Sequence, residues 1–214
     1  MKTDALIAML AQGPVAAPRH AVDRRLLAAT ALGVAVALVV MLATLHLRAD
    51  LATAVHLPMF WIKLAVPLVV AALAVAAVRR LARPGGRGGP AVAIGAATLV
   101  VLVAVAVADV VTAPANARFA LVLGKTALPC VVLVTVLSLP ALVAIFVALR
   151  SLAPTRLTAA GSAAGALAGG LGAAVYAWHC NEMTLPFVAV WYVLGMAIPA
   201  ALGALFARRW LHWS

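Results

Sequence analysis

Acidic residues are scarce in this sequence: five aspartates and glutamates occur among 214 residues, and all charged residues together make up 10% of the chain. Hydrophobic residues make up 67%, whereas a typical globular domain is roughly half apolar and about a quarter charged. A soluble fold could not cover that much apolar surface, so the composition favours a membrane protein. No acidic residue lies deep inside an apolar stretch, which argues against a proton- or cation-driven transporter because coupling normally needs one there.

Catalytic motifs are also absent. The sequence contains no Cys-x-x-Cys, no phosphate-binding glycine loop, no His-Glu-x-x-His and no paired carboxylates, which are the patterns that redox, phosphoryl-transfer and hydrolytic sites require. The sequence therefore predicts that the protein is not an enzyme and has no obligatory cofactor.

Six apolar stretches have about the length needed to cross roughly 30 Å of hydrocarbon at 1.5 Å per residue. They lack the apolar/polar alternation of barrel strands, and a helix is the other structure that satisfies its backbone in lipid. The sequence predicts an all-α integral membrane protein, a bundle of six transmembrane helices. The predicted spans are Leu26–Leu45, Leu57–Val78, Ala91–Ala108, Leu128–Leu149, Leu157–Trp178 and Thr184–Ala207.

The basic residues are distributed unevenly about these spans. Twelve of the sixteen fall on one side, three fall on the other and Lys63 lies within a span. The positive-inside rule then predicts that the N-terminus and the C-terminus are both cytoplasmic. Because topology accounts for most of the +11 charge, nucleic acid is not a predicted partner. The predicted parts are a cytoplasmic head (1–25), a transmembrane domain (26–207) in contact with membrane lipid, and a cytoplasmic tail (208–214).

Glycines recur at four-residue spacing in the fifth span, at Gly161, Gly165 and Gly169. Such a stripe allows two helices to approach closely. The sequence does not say whether the partner helix belongs to the same chain or to a second copy, so a homodimer stays open.

Two cysteines are predicted at the outer end of the bundle, Cys130 one turn into the fourth span and Cys180 just beyond the fifth. A disulfide could join them if their Cα atoms lie within about 7 Å. As thiolates they could instead bind a soft metal ion such as zinc or cadmium, with His179 and Glu182 as further ligands. Buried, inert thiols are the third alternative, and the residues alone do not decide among the three.

Lys63 is the one basic residue inside a predicted span. It lies six residues beyond the start of the second span, so we expect its stem to extend toward the outer interface, where Trp61 belongs to the aromatic belt. Pairing with Asp50 or Asp109 is open.

The first ten residues predict a short helix. Thr3 or Asp4 would cap it, and Leu6, Met9 and Leu10 would share one face. A helix this short is unstable alone, so we expect it to become ordered against a membrane surface or a partner protein.

Taken along its whole length, the chain resembles the NrsF-type membrane anti-sigma factors, which are negative regulators of SigF-type extracytoplasmic-function sigma factors. The resemblance rests on the six-span layout and the glycine-rich fifth span together with a series of short motifs. These are Met1-Lys2-Thr3-Asp4 with Leu6-Ile7 and Leu10, Cys130 with Leu137-Ser138-Leu139-Pro140-Ala141-Leu142, Leu152-Ala153-Pro154-Thr155-Arg156, His179-Cys180-Asn181-Glu182, and Phe187-Val188-Ala189-Val190-Trp191-Tyr192-Val193-Leu194-Gly195.

The resemblance implies a multi-pass protein of the bacterial inner membrane that holds a sigma factor inactive. The head would contact the sigma factor through Asp4, Leu6, Ile7 and Leu10. Heavy metal or oxidative stress would be sensed by Cys130 and Cys180. The chain departs from the expected pattern by having Asn181 in place of Pro and Met183 in place of a second acid, which weakens an acidic contribution to metal binding.

Two other functions remain as alternatives at this point. A small inner-membrane transporter or channel for a metal ion or solute lacks support from midplane charges and internal repeats. A thiol-disulfide membrane enzyme would need a second redox pair or a quinone site, and the sequence shows neither.

Overall fold

The computed structural model describes residues 21–83, 85–86, 88–152 and 154–211. These parts of the chain form helices throughout, and six of the helices are long and apolar enough to cross a membrane. The prediction of six helices of this length and apolar composition is therefore confirmed. In chain order the helices are α1 (Ala21–Thr44), α2 (Leu51–Ala54), α3 (Pro58–Leu81), α4 (Pro90–Thr112), α5 (Ala115–Leu123), α6 (Ala127–Arg150), α7 (Leu157–Tyr176) and α8 (Leu185–Trp210).

The ends of several helices differ from the predicted ones. Helix α1 begins at Ala21 and not at Leu26, since its arginines can keep their charged heads outside the hydrocarbon on long stems. Two short helices, α2 and α5, lie in connections between the predicted spans. Helix α8 contains a π-helical turn at Val188–Tyr192 that hydropathy could not predict.

Helix α7 is the central element of the bundle. It packs against α8, α3, α6 and α1, and it is the most buried of the six long helices, whereas α4 is the most exposed. The glycine stripe allows α7 to lie this close to α8. A Cβ at Gly161 would collide with the carbonyl oxygen of Gly203, and a Cβ at Gly165 would collide with the carbonyl oxygen of Pro199. Close helix contact through the stripe, as predicted, is confirmed.

The stripe is covered by α8 of the same chain. Gly169 continues the contact against the backbone of Met196, so this face of α7 has no room for a second copy. A homodimer through the glycines is therefore not available to the folded chain, and any self-association would use another surface.

The two ends of the bundle differ in character. At one end, here called the arginine end, Arg79 of α3 forms an ion pair with Asp23 in the first turn of α1, with Nε–Oδ1 at 2.6 Å and Nη2–Oδ2 at 2.8 Å. The opposite end, here called the cysteine end, carries the connections 45–57, 113–126 and 177–184. The proposed head residues Asp4, Leu6, Ile7 and Leu10 lie outside the described residues, and the chain enters the described part at the arginine end.

Candidate functional site

Cys180 lies in the connection between α7 and α8, where helical hydrogen bonding stops. Its amide donates to the carbonyl oxygen of Tyr176 at 3.1 Å, which closes the last turn of α7. The residue is only 3% exposed. The irregular backbone here follows from the polar run His179-Cys180-Asn181-Glu182, which interrupts the apolar sequence on both sides.

Cys130 lies in the first turn of α6 and is fully buried. It belongs to the same apolar cluster as Cys180, together with Tyr176, Phe187 and Tyr192. Both cysteines are free thiols. The structure thus brings both sequence-predicted cysteines into one cluster at one end of the bundle, one in the first turn of α6 and the other in the connection that follows α7.

The side chain of Lys63 closes this cluster from the α3 side. It has no exposed surface, and its Nζ donates to the carbonyl oxygens of Cys180 at 2.5 Å and Glu182 at 2.9 Å. The stem does extend toward the cysteine end, as expected, but the ammonium is covered by the connection and does not reach open water. Neither Asp50 nor Asp109 forms an ion pair with it within the described chain.

Arg48 reaches the same carbonyl oxygen from the α1–α2 connection. Its Nη1 lies 3.2 Å from the oxygen of Cys180, and its amide donates to the carbonyl oxygen of Trp178 at 3.1 Å. Its Nε and Nη2 each donate to Asp50 at 2.7 Å. These hydrogen bonds lower the pKa of the Asp50 carboxyl and raise the pKa of the Arg48 guanidinium. Arg48 therefore carries a compensated charge, whereas Lys63 donates to neutral carbonyls.

Glu182 uses its carboxylate to bind the residues just before α6. Its Oε1 accepts from the amide of Lys125 at 2.7 Å and from the hydroxyl of Thr126 at 3.1 Å. Gly124 supports this arrangement, because it has φ +54° and a Cβ there would lie 2.7 Å from the carboxyl of Glu182. The carboxylate thus ties the α7–α8 connection to the start of α6.

The side chain of His179 also has a hydrogen-bond partner. Its Nδ1 lies 3.0 Å from the carbonyl oxygen of His46, and because a carbonyl only accepts, Nδ1 must carry the proton. Among the residues that the structure describes, no three His, Cys, Asp or Glu side chains are grouped closely enough to hold a metal ion. Metal ligation by Cys130 and Cys180, with or without His179 and Glu182, remains a prediction.

Tyr192 is a feature that sequence reasoning missed. Its hydroxyl is fully buried and has no hydrogen-bond partner among the described residues, and its ring lies 6.0 Å from that of Tyr176. The residue ends the π-helical turn of α8, a kind of irregularity that is frequent at functional sites. The only signal in the sequence was its position in the aromatic motif Trp191-Tyr192 near the cysteine end.

Comparison with known proteins identifies the family to which the chain belongs. Residues 10–213 match the family described as "Negative regulator of sigma F". The chain is 40% identical over 213 residues to the "Probable anti-sigma-F factor NrsF" of Azospira oryzae, with 100% of both chains covered. It is 37% identical over 212 residues to the "Anti-sigma-F factor NrsF" of Caulobacter vibrioides, with 99% of both covered. No solved structure matches it. Since the family match and both relatives span nearly the whole length, this chain belongs to the NrsF family of negative regulators of sigma F.

Proposed function

We propose that the protein is a membrane-bound anti-sigma factor that sequesters a SigF-type extracytoplasmic-function sigma factor. In this proposal it releases the sigma factor when Cys130 and Cys180 react with a heavy metal or an oxidant. The observation that carries the proposal is that both thiols lie in one buried cluster at the end of the bundle opposite to the end where the chain enters it. That separation is the layout a transmembrane sensor needs.

The orientation follows from charge. The arginine end carries most of the basic residues and faces the cytoplasm of a bacterial inner membrane under the positive-inside rule. The cysteine end then faces outward, where thiols meet metal ions and oxidants and where disulfides persist. The 1–20 segment is on the same side as a cytoplasmic sigma factor.

The head binds the sigma factor through Asp4, Leu6, Ile7 and Leu10. A segment of this length has no core of its own and becomes ordered on its partner, so its binding free energy includes the cost of that ordering. The head is joined directly to α1. A small displacement of the arginine end of α1 can therefore change the cost of ordering the head and, with it, the affinity of the head for the sigma factor.

The chemistry of sensing follows from the two thiols. Binding of a soft divalent ion such as zinc or cadmium requires two thiolates and releases two protons. Oxidation instead joins the two sulfurs in a disulfide, and two electrons and two protons pass to the oxidant. Either event changes the contacts of Cys180. Lys63 and Arg48 both bind the carbonyl oxygen of this residue. To act as a signal, the ligand must bind one arrangement of the helices better than the other.

The proposal is tested with membranes that carry the protein and its bound sigma factor. Cadmium at increasing concentration should release the sigma factor from the wild-type protein. The variant Cys130→Ser/Cys180→Ser should insert and bind the sigma factor but retain it at every dose, because serine hydroxyls bind soft ions poorly. A matched Ser138→Ala variant, which changes a buried hydroxyl about two turns beyond Cys130 in the same helix, should respond like the wild type. An undiminished response of the double-serine variant would contradict sensing by these thiols.

A further inference from the structure

Lys63 has an environment that packing alone does not explain. Its ammonium is fully buried in a membrane helix, where desolvating a charge costs several kcal/mol. The nearby carboxylates are engaged elsewhere: Asp50 binds Arg48 and Glu182 binds the start of α6. Lys63 donates instead to two carbonyl oxygens of one connection. A methionine would fill a similar space without burying a charge, so the two charge-assisted hydrogen bonds are what the lysine provides.

The two carbonyls that Lys63 binds belong to Cys180 and Glu182, on either side of Asn181. Lys63 therefore fixes the backbone of the connection 177–184, here called the cysteine connection, and does not bind any side chain in it. Arg48 binds the oxygen of Cys180 as well, but it sits in a connection of its own, whereas Lys63 belongs to a long helix. A displacement of the Cys180 backbone must break these bonds or move α3.

Helix α3 connects this point to the opposite end of the bundle. Lys63 and Arg79 are sixteen residues apart on one continuous helix, which corresponds to roughly 24 Å along its axis. Arg79 forms an ion pair with Asp23, in which Nη2 donates a hydrogen bond to Oδ2 at 2.8 Å. Asp23 is in the first turn of α1, at the C-terminal end of the predicted head (1–25). One helix thus binds the cysteine connection with one end and the start of α1 with the other.

Helix α3 packs closely against the central helix α7. Gly170 of α7 faces the carbonyl oxygen of Pro67 and the amide nitrogen of Ala71, with a Cβ position only 2.7 Å and 2.9 Å from them. Because Gly170 has no side chain, the backbones of the two helices approach each other directly at this point. Close contacts of this kind between small residues hold membrane helices together through packing.

We propose that Lys63 is the positioning residue that couples the cysteine end to the arginine end. It converts a displacement of Cys180 into a displacement of α3, which the Arg79–Asp23 ion pair passes to the start of α1. The inference rests on the proposed function for its meaning as a signal, because that function assigns the input to Cys180 and the output to the head. The mechanical coupling itself is a property of the folded chain and can be measured without a metal ion or a sigma factor.

The test is hydrogen–deuterium exchange with mass spectrometry on the full-length protein in lipid nanodiscs. Lys63→Met should speed exchange in the connection 177–184 and also, by about threefold, in the first turn of α1 at the far end. Lys125→Met is the matched control. It replaces an exposed lysine at the same end whose amide, and not its side chain, makes the contact with Glu182, so it should leave the first turn of α1 unchanged. Lys63→Arg, which retains the charged donors, should restore slow exchange at least in part.

A purely local role for Lys63 predicts a different result. Exchange would then rise in 177–184 alone, and that outcome would overturn the proposal, as would no change at either end. If Lys63→Met does not fold, Arg79→Gln tests the same coupling from the exposed arginine end and should speed exchange at 177–184 by about twofold, in keeping with the modest strength of an exposed pair. Unchanged exchange there would equally overturn the proposal. Failure of the wild-type protein to bind a sigma factor would refute the proposed function and would leave these exchange results standing.

Discussion

Gly161 of α7 and Gly203 of α8 lie backbone against backbone, so that a Cβ added to either one would collide with the carbonyl oxygen of the other. This contact sets the distance between the two helices. Helix α8 also carries Tyr192 and the π-helical turn. The same contact therefore helps to position Tyr192 in the apolar cluster that contains Cys130 and Cys180, toward the other end of the bundle.

Enlarging Gly161 should therefore separate α7 from α8. Gly161→Leu is expected to destabilise the bundle by about 1–3 kcal/mol or more, as overpacking does in cores. Thermal unfolding in detergent, followed by the fluorescence of the tryptophans, would show a lower midpoint. Gly95→Leu is the matched control on the exposed helix α4, where a Cβ would meet only Leu73 at an ordinary distance of 3.7 Å. Equal midpoints for the two variants would contradict the assigned role of the stripe.

A second prediction concerns Gly124, which directly follows α5 and precedes α6. Gly124→Ala combines a backbone conformation with φ +54° and a Cβ 2.7 Å from both the carboxyl of Glu182 and the ring of Phe187. Strained backbone of this kind costs roughly 1–3 kcal/mol, and the displaced carboxylate should loosen the cysteine connection. Alkylation of the two buried thiols by a small reagent should become faster.

Gly85→Ala provides the comparison for this substitution. Gly85 has φ +74°, but a Cβ there would meet nothing within 4 Å, and the residue lies at the arginine end. It should affect stability through its backbone alone and leave thiol alkylation at the wild-type rate. Faster alkylation in Gly85→Ala would mean that the thiols respond to general destabilisation and not to Glu182.

The Arg48–Asp50 pair predicts a pH dependence of the cysteine connection. The pKa of Asp50 is lowered in the folded state, so the pair stabilises the fold fully above the unfolded value of about 3.9 and loses this contribution as the pH falls through the folded value. Exchange at 177–184 should therefore rise at acidic pH beyond the intrinsic effect of pH on exchange. Asp50→Asn should abolish this extra rise, and an unaltered pH profile in that variant would exclude Asp50 as its source.

Hydropathy sufficed to predict the six long apolar helices because bilayer thickness sets the length of an apolar stretch that can cross it. The shared level of Cys130 and Cys180 followed from the same counting. The contacts of Lys63 did not, since its partners are backbone carbonyls 117 and 119 residues further along the chain, and a carbonyl has no sequence signature. Likewise, the sequence offered Glu182 as a metal ligand, whereas in the fold its carboxylate binds the start of α6.

The most direct test of the account is co-purification of a SigF-type sigma factor with the full-length protein and with a variant lacking residues 2–12. The account predicts that the full-length protein retains the sigma factor and that the truncated protein, still inserted in the membrane, does not. Absence of binding by the full-length protein, or equal binding by both, would contradict the claim that this membrane bundle holds a sigma factor through its head.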